Sequence, residues 1–374
     1  MSEPEDRKYM RRALRLAERG RGKTAPNPMV GAVVVKNGVI LGEGFHPKAG
    51  APHAEVLALA EAGMKAKGAT LYTSLEPCCH AGKRTLPCTD AILKSGLRRV
   101  VAAMIDPNPA VSGGGLDLLR KKGIDVTEGV LQPEAAQLNE VFIKYITTGR
   151  PFVILKAAAT LDGRIATAKG ASRWITGEAA RREVHRLRSE VDAVLVGIGT
   201  VLADDPMLTA RRPGAKNPVR VVIDPHLKIP VRSRLVTSIS DAPTWVVTTG
   251  RASAEKARAL EKRGVELFRF SQRQGIIPFN LLFERLGARE ITSVMIEGGG
   301  VVNGMALRAG VVDKVVFYIA PKLLCGDDAR SVVSGKAIPN LNDALNLQQM
   351  TARKVGEDLR IEGYPRKGER GGDA

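Results

Sequence analysis

Short runs rich in β-branched residues alternate with stretches of helical spacing along nearly the whole chain, and this alternation restricts the fold more than any other feature. VGAVVVK (30–36) and VILGEGF (39–45) flank Asn37-Gly38, a two-residue hairpin signal. ATLYTSL (69–75), RRVVAAM (98–104) and GIDVTEG (123–129) read as further strands. Helical stretches over 6–19, 53–63, 88–95 and 114–122 lie among them, and 132–146 has helical spacing with Pro133 in its first turn. The pattern predicts an α/β/α sandwich around a mixed sheet. Beyond residue 150 come strand-like runs at 152–158, 192–198, 220–224, 244–249, 265–270, 292–298 and 314–320. Helices over 178–190, 253–263, 278–287 and 301–309 would fill the gaps, predicting a second α/β domain with several parallel strands. The Gly149-Arg150-Pro151 turn separates the two, giving domains over 1–148 and 151–367, with 368–374 expected to be a disordered tail.

Composition narrows the function classes. With 44% hydrophobic and 26% charged residues, the 374-residue chain has enough apolar mass for packed cores. No run of 18 apolar residues exists, and the N-terminus lacks the apolar stretch of a secretory signal, so a cytoplasmic protein is expected. Four cysteines are too few for a disulfide scaffold, but Cys78, Cys79 and Cys88 fall within eleven residues, which reads as metal or reactive chemistry. The net charge of +18 is spread over both halves, with no block of five like charges and only 4% aromatic residues. That argues against nucleic acid as the main ligand and suits a phosphorylated small molecule.

The first chemical signature is His53-Ala54-Glu55, followed by Pro77-Cys78 and Pro87-Cys88. One imidazole and two thiolates supply three ligands to a tetrahedral zinc, leaving a position for water. Glu55 lies two residues beyond His53, within reach for moving protons without being a ligand. This is the H-x-E…P-C signature of zinc deaminases of nucleobases. A structural zinc with Cys79 or His80 as fourth ligand is the bland alternative. Nine residues separate Cys78 from Cys88, against two in most such deaminases, so the loop CHAGKRTLP must fold over the site. It carries His80, Lys83 and Arg84, which read as phosphate or ring contacts or as a solvated basic loop.

In the second half, LKAAATLDGRIATAKGASRWITG (155–177) places polar groups at strand ends around a glycine turn, where open α/β sheets bind ligands. IEGGGVVNG (296–304) is a strand running through three glycines into a helix, a start that suits phosphate. GIGTVL (197–202) lacks the third glycine of a dinucleotide fingerprint. Lys156, Asp162 and Glu297 are candidates for handling protons, which the sequence does not rank. Two other classes stay open on residues alone: a nucleic-acid-editing deaminase fused to a regulatory domain, and a non-enzymatic NADP sensor with a structural zinc. The first leaves 155–177 and 296–304 unexplained.

The strings APNPMVGAVVVKNGVILGEGFHPKAGAPHAEVLAL, LEPCCHAGKRTLPC and DPNP (106–109), with those of the second half, resemble the bifunctional riboflavin-biosynthesis deaminase/reductase over roughly residues 6–364. The resemblance implies a cytidine-deaminase-like N-terminal sandwich and a dihydrofolate-reductase-like C-terminal domain. It implies zinc on His53, Cys78 and Cys88, Glu55 as catalytic acid/base, and a deaminase substrate site at Asn27, His46, His80 and Lys83 or Arg84. It also implies NADPH at Ala158, Trp174, Thr200, Asp204, Gly299, Gly300 and Val301. The second substrate site would use Ser172, Arg188, Leu208, Arg211 and Glu297, with Arg188 and Arg211 suited to a 5′-phosphate. The implied substrate is a diaminopyrimidinone ribosylamino 5′-phosphate, deaminated and then reduced at its ribosyl group. The family commonly forms dimers or tetramers, and neither nucleic acid nor membrane is an expected partner.

Overall fold

The computed structural model describes residues 3–79, 87–109, 112–250, 252–271 and 277–366. The chain divides into two compact units, Met1–Arg150 and Pro151–Ala374. His80, Lys83, Arg84 and the expected tail over 368–374 lie outside the described residues.

In the first unit, strands β1 (Gly31–Lys36), β2 (Val39–Phe45), β3 (Thr70–Thr73), β4 (Arg99–Ala102) and β5 (Asp125–Glu128) form one sheet in the order β2-β1-β3-β4-β5. The β1–β2 and β1–β3 pairs are antiparallel, and β3–β4 and β4–β5 are parallel. Asn37 and Gly38 both have positive φ, 50° and 78°, as a tight hairpin between β1 and β2 requires. The helices are α1 (Glu3–Ala17), α2 (Ala54–Ala62), α3 (Cys88–Ser95), α4 (Gly114–Lys121), α5 (Gln132–Leu138) and α6 (Glu140–Thr148). The single helical stretch expected over 132–146 is therefore broken. Its break falls at Asn139, whose side chain accepts from Met29 N–H at 2.8 Å and donates to Met29 C=O at 3.0 Å. The backbone departs from helical geometry there (φ −103°, ψ 21°), while Asn139 keeps its own helical bonds to Ala135 and from Ile143.

The sheet sets the position of α2. A Cβ on Gly44 would lie 2.2 Å from Ala54 C=O, and one on Gly42 would lie 2.2 Å from Ala58 C=O. Only glycine lets α2 pack so close to β2, and this contact fixes the helix start that carries His53 and Glu55.

The second unit holds β6 (Phe152–Thr160), β7 (Arg164–Ala166), β8 (Ala193–Gly197), β9 (Val219–Ile223), β10 (Thr244–Thr249), β11 (Glu266–Phe270), β12 (Ser293–Ile296), β13 (Lys314–Ala320), β14 (Arg330–Ser331), β15 (Leu347–Val355) and β16 (Asp358–Pro365). Nine of them form a sheet in the order β11-β10-β9-β8-β12-β6-β13-β16-β15, parallel up to β13 and antiparallel beyond it. Its helices are α7 (Glu178–Arg188), α8 (Ile198–Asp204), α9 (Arg234–Thr237), α10 (Ala254–Glu261), α11 (Phe279–Gly287) and α12 (Gly300–Arg308). The seven parallel strands are buried between two apolar clusters. One centres on Leu155, Leu195, Leu282 and Phe283, the other on Val194, Val222, Leu235 and Tyr318. The β15–β16 hairpin escapes the sequence patterning because most of β15 is exposed and LQQMTARKV offers few apolar positions.

Candidate active sites

In the first unit, the start of α2, the loop after β3 and the start of α3 converge. His53 Nδ1 lies 3.1 Å from Cys88 Sγ and 3.5 Å from Cys78 Sγ, and the three ligand atoms fall within 4.8 Å of one another. The Cys88 N–H donates to Cys78 Sγ at 3.4 Å, so the amide at the start of α3 faces a sulfur. The Cys78 thiol is pulled down to about 4, chiefly by a hydrogen bond from the Cys88 thiol, with His53 and the Cys88 amide adding. That bond and burial push Cys88 up, so the first proton leaves from Cys78. An imidazole and two thiols, one already biased to thiolate, are a donor set that fits zinc. Cys79, the alternative fourth ligand, is not part of this cluster.

Glu55 sits beside these groups, 3% exposed, and is not part of the ligand cluster. Burial raises its carboxyl to about 7. His46 is also buried, with its ring edge-on to His53 at 5.5 Å. Its Nδ1 lies 3.2 Å from Pro52 C=O, which can only accept, so Nδ1 carries the hydrogen. Nε2 is then the acceptor for the Asn27 amide at 3.2 Å. Burial lowers the His46 pKa and favours this neutral form. Asn27 and His46 are thus brought to the metal-ligand cluster as one hydrogen-bonded pair.

In the second unit, a cavity of about 890 Å³ opens at the strand ends. Of the expected cofactor residues, Ala158, Trp174, Thr200, Asp204 and Gly299 line it, whereas Gly300 and Val301 do not. These last two form the first turn of α12, with Gly300 buried and Val301 64% exposed. All five expected substrate residues, Ser172, Arg188, Leu208, Arg211 and Glu297, line the same cavity. Ser172 Oγ donates to Asp204 Oδ1 at 3.3 Å.

The buried Glu297 carboxylate organises the floor. Arg188 donates from Nε to Oε1 at 2.6 Å and from Nη2 to Oε2 at 3.0 Å, and Lys156 Nζ donates to Oε2 at 3.0 Å. Burial alone would raise the Glu297 carboxyl, but Arg188 and then Lys156 outweigh it and hold it far below the usual range. Arg188 also donates to Thr209 C=O at 3.2 Å, leaving two of its five N–H groups for a ligand. Burial, then repulsion from Arg188, Arg234 and Arg173, lowers the pKa of Arg211. Asp162 is not a cavity residue. Its carboxylate accepts from Thr160 Oγ1 at 2.5 Å and from the amides of Leu324 and Cys325.

Several lining residues escaped the sequence reading. Arg181 and His185 stand at i and i+4 on α7, with the expected Arg188 at i+7, a spacing that places all three on one face. Arg181 lies over the exposed Trp174 ring at 4.4 Å, a cation–π contact. Arg234, on the short α9, carried no readable signal.

The chain is 46% identical to the riboflavin biosynthesis protein RibD of Aquifex aeolicus over 359 residues, covering 95% of this chain and 97% of that protein. It is 44% identical to RibD of Escherichia coli, covering 95% and 98%. Among solved structures, RibD of Acinetobacter baumannii superposes with a TM-score of 0.87 at 38% identity, covering 98% of this chain and all of the other. A Thermotoga maritima diaminohydroxyphosphoribosylaminopyrimidine deaminase/5-amino-6-(5-phosphoribosylamino)uracil reductase gives 0.85 at 38% identity, covering 97% and 99%. The family profile of the cytidine and deoxycytidylate deaminase zinc-binding region matches residues 3–104, and that of the RibD C-terminal domain matches 151–361. Fold and sites together define a class, a zinc-dependent deaminase joined to an NADPH-dependent pyrimidine reductase. The chain belongs to the RibD family of riboflavin biosynthesis.

Proposed function

We propose that the first unit hydrolyses an amine from a diaminopyrimidinone ribosylamino 5′-phosphate, and that the second reduces the ribosyl group of the product to ribityl. The observation that carries this reading is the arrangement of one imidazole, two thiols and a buried carboxyl outside their ligand set. Zinc held by His53, Cys78 and Cys88 supplies a water of lowered pKa when bound. Glu55 takes a proton from the attacking water and returns it to the departing amine, so NH₂ leaves as ammonia and oxygen takes its place. Asn27 and His46 orient the ring, with His80 and Lys83 or Arg84 from the intervening loop contributing contacts.

In the second unit, NADPH supplies the hydride when bound. Ala158, Trp174, Thr200, Asp204 and Gly299 line its place, with the first turn of α12 at Gly300 and Val301 adding backbone amides. Lys156 holds the proton that accompanies the hydride, and Glu297 orients that lysine. Asp162, occupied by two backbone amides and a threonine hydroxyl, takes no part. Arg211, with no carboxylate within ion-pair distance among the described residues, takes the 5′-phosphate, joined by the two spare N–H groups of Arg188. Ser172 and Leu208 complete the substrate wall.

The protein works as a cytoplasmic homo-oligomer, dimer or tetramer, which light scattering tests. No described helix is long and apolar enough to cross a membrane. Ammonia release from the pyrimidine nucleotide, compared with release from an oligonucleotide, tests the substrate class. Release from the oligonucleotide alone would replace this reading with the nucleic-acid-editing one.

A further inference from the structure

Cys78 sits on a loop with no regular secondary structure, directly after β3, and something must hold it for a three-ligand centre to keep its shape. On one side the loop is tied to α3, through Thr89 N–H to Cys78 C=O at 3.2 Å and the Cys88 amide to Cys78 Sγ. On the other side stands Glu76, 3% exposed. Its Oε1 accepts from the amides of Gly115 at 2.8 Å and Leu116 at 3.2 Å, in the first turn of α4. Its Oε2 accepts from the amides of Asp106 at 3.0 Å and Gly113 at 2.9 Å. The Glu76 amide donates to Met104 C=O at 3.0 Å. The next residue is pinned from the same direction, since a Cβ on Gly115 would lie 2.0 Å from Pro77 C=O.

We propose that Glu76 is a positioning residue of the metal centre: its carboxylate bolts the Pro77-Cys78 loop to Asp106 and to the start of α4 over 113–116, and thereby sets where the Cys78 sulfur stands relative to His53 and Cys88. The DPNP string at 106–109 gains a role here, since its first amide is one of the four donors. Metal ligands held by such outer partners lose roughly 10–100-fold in metal affinity when the partner is removed.

Glu76→Gln keeps the shape but exchanges one oxygen for an NH₂ group. Whichever way the amide turns, that group faces two N–H donors and pushes the loop away. Gly115→Ala displaces the same loop from the other side at Pro77 C=O. Alanine favours a helix over glycine, so any loosening of the metal comes from the Pro77 contact and not from helix loss. Zinc affinity is measured in the full chain against a chromophoric chelator, and the cobalt-substituted protein is read by its thiolate-to-metal absorption. Both variants are expected to bind zinc about 10–100-fold more weakly, with altered cobalt bands, while circular dichroism stays that of the parent. The Gly115→Ala result decides the matter if Glu76→Gln does not fold. Parental zinc affinity and an unchanged cobalt spectrum in a folded variant overturn the proposal.

Discussion

Arg188 and Glu297 form a two-pronged ion pair, Nε to Oε1 at 2.6 Å and Nη2 to Oε2 at 3.0 Å, with both side chains buried to within 13% and 7% of full cover. The pair joins α7 to the residue after β12 on the floor of the reductase cavity. Removing the arginine leaves a buried carboxylate with Lys156 as its remaining cation.

Arg188→Ala is therefore expected to lower the stability of the second unit by about 3–5 kcal/mol, the usual result of breaking a buried pair. The kcat/KM for reduction should fall by roughly 10²-fold or more, and Arg188→Lys should recover little, because a single ammonium cannot form the fork. Ammonia release should remain at the parental rate. Separate steady-state kinetics on each half-reaction check this. Equal damage to both reactions would mean that one composite site does both jobs.

The same pair predicts a pH dependence. Glu297 has its pKa lowered in the folded chain, so its contribution to stability is complete above the ordinary carboxylate value and drains away as pH falls below it. Urea unfolding of the parent and of Glu297→Gln should thus show a stability gap that is constant from pH 8 to about 5 and narrows toward pH 3. A gap that widens on acidification would have the wrong sign for a paired carboxylate.

Glu55→Gln is expected to remove at least about 10²–10⁴-fold of the deaminase rate, as the loss of a positioned acid/base does. Zinc content by atomic absorption should stay at the parental level, because Glu55 is not in the ligand cluster. Deamination near the parental rate in this variant would remove Glu55 from the mechanism.

The ligand assignment separates two cysteines that are close in sequence. Cys88→Ala should lose zinc, since three protein ligands become two, while Cys79→Ala should retain it. Zinc lost from the Cys79 variant and kept in the Cys88 variant would reverse the assignment.

What the sequence discloses follows the range over which each signal acts. The β1–β2 hairpin is legible because Asn37-Gly38 fixes it locally, and the metal-ligand cluster because its chemistry permits few residue types. The face of α7 was available in the spacing of Arg181, His185 and Arg188, although charged positions on a helix ordinarily read as solvated surface. Glu76 was not legible: its four donors lie 30 to 40 residues away, and nothing near it in sequence announces them. The break at Asn139 is hidden likewise, since its partner Met29 is 110 residues distant. For Asp162 the sequence does not disclose the partners of its carboxylate, the amides of Leu324 and Cys325 more than 160 residues away.

The most direct measurement is the mass of the product formed from the diaminopyrimidinone ribosylamino 5′-phosphate with and without NADPH. Without it, the product should carry one oxygen in place of one NH and nothing else. With it, the same product should gain two hydrogens on the sugar chain. A product unchanged in mass without NADPH, or one reduced without first losing its amine, would contradict the assignment of a zinc deaminase and a separate reductase to the two units.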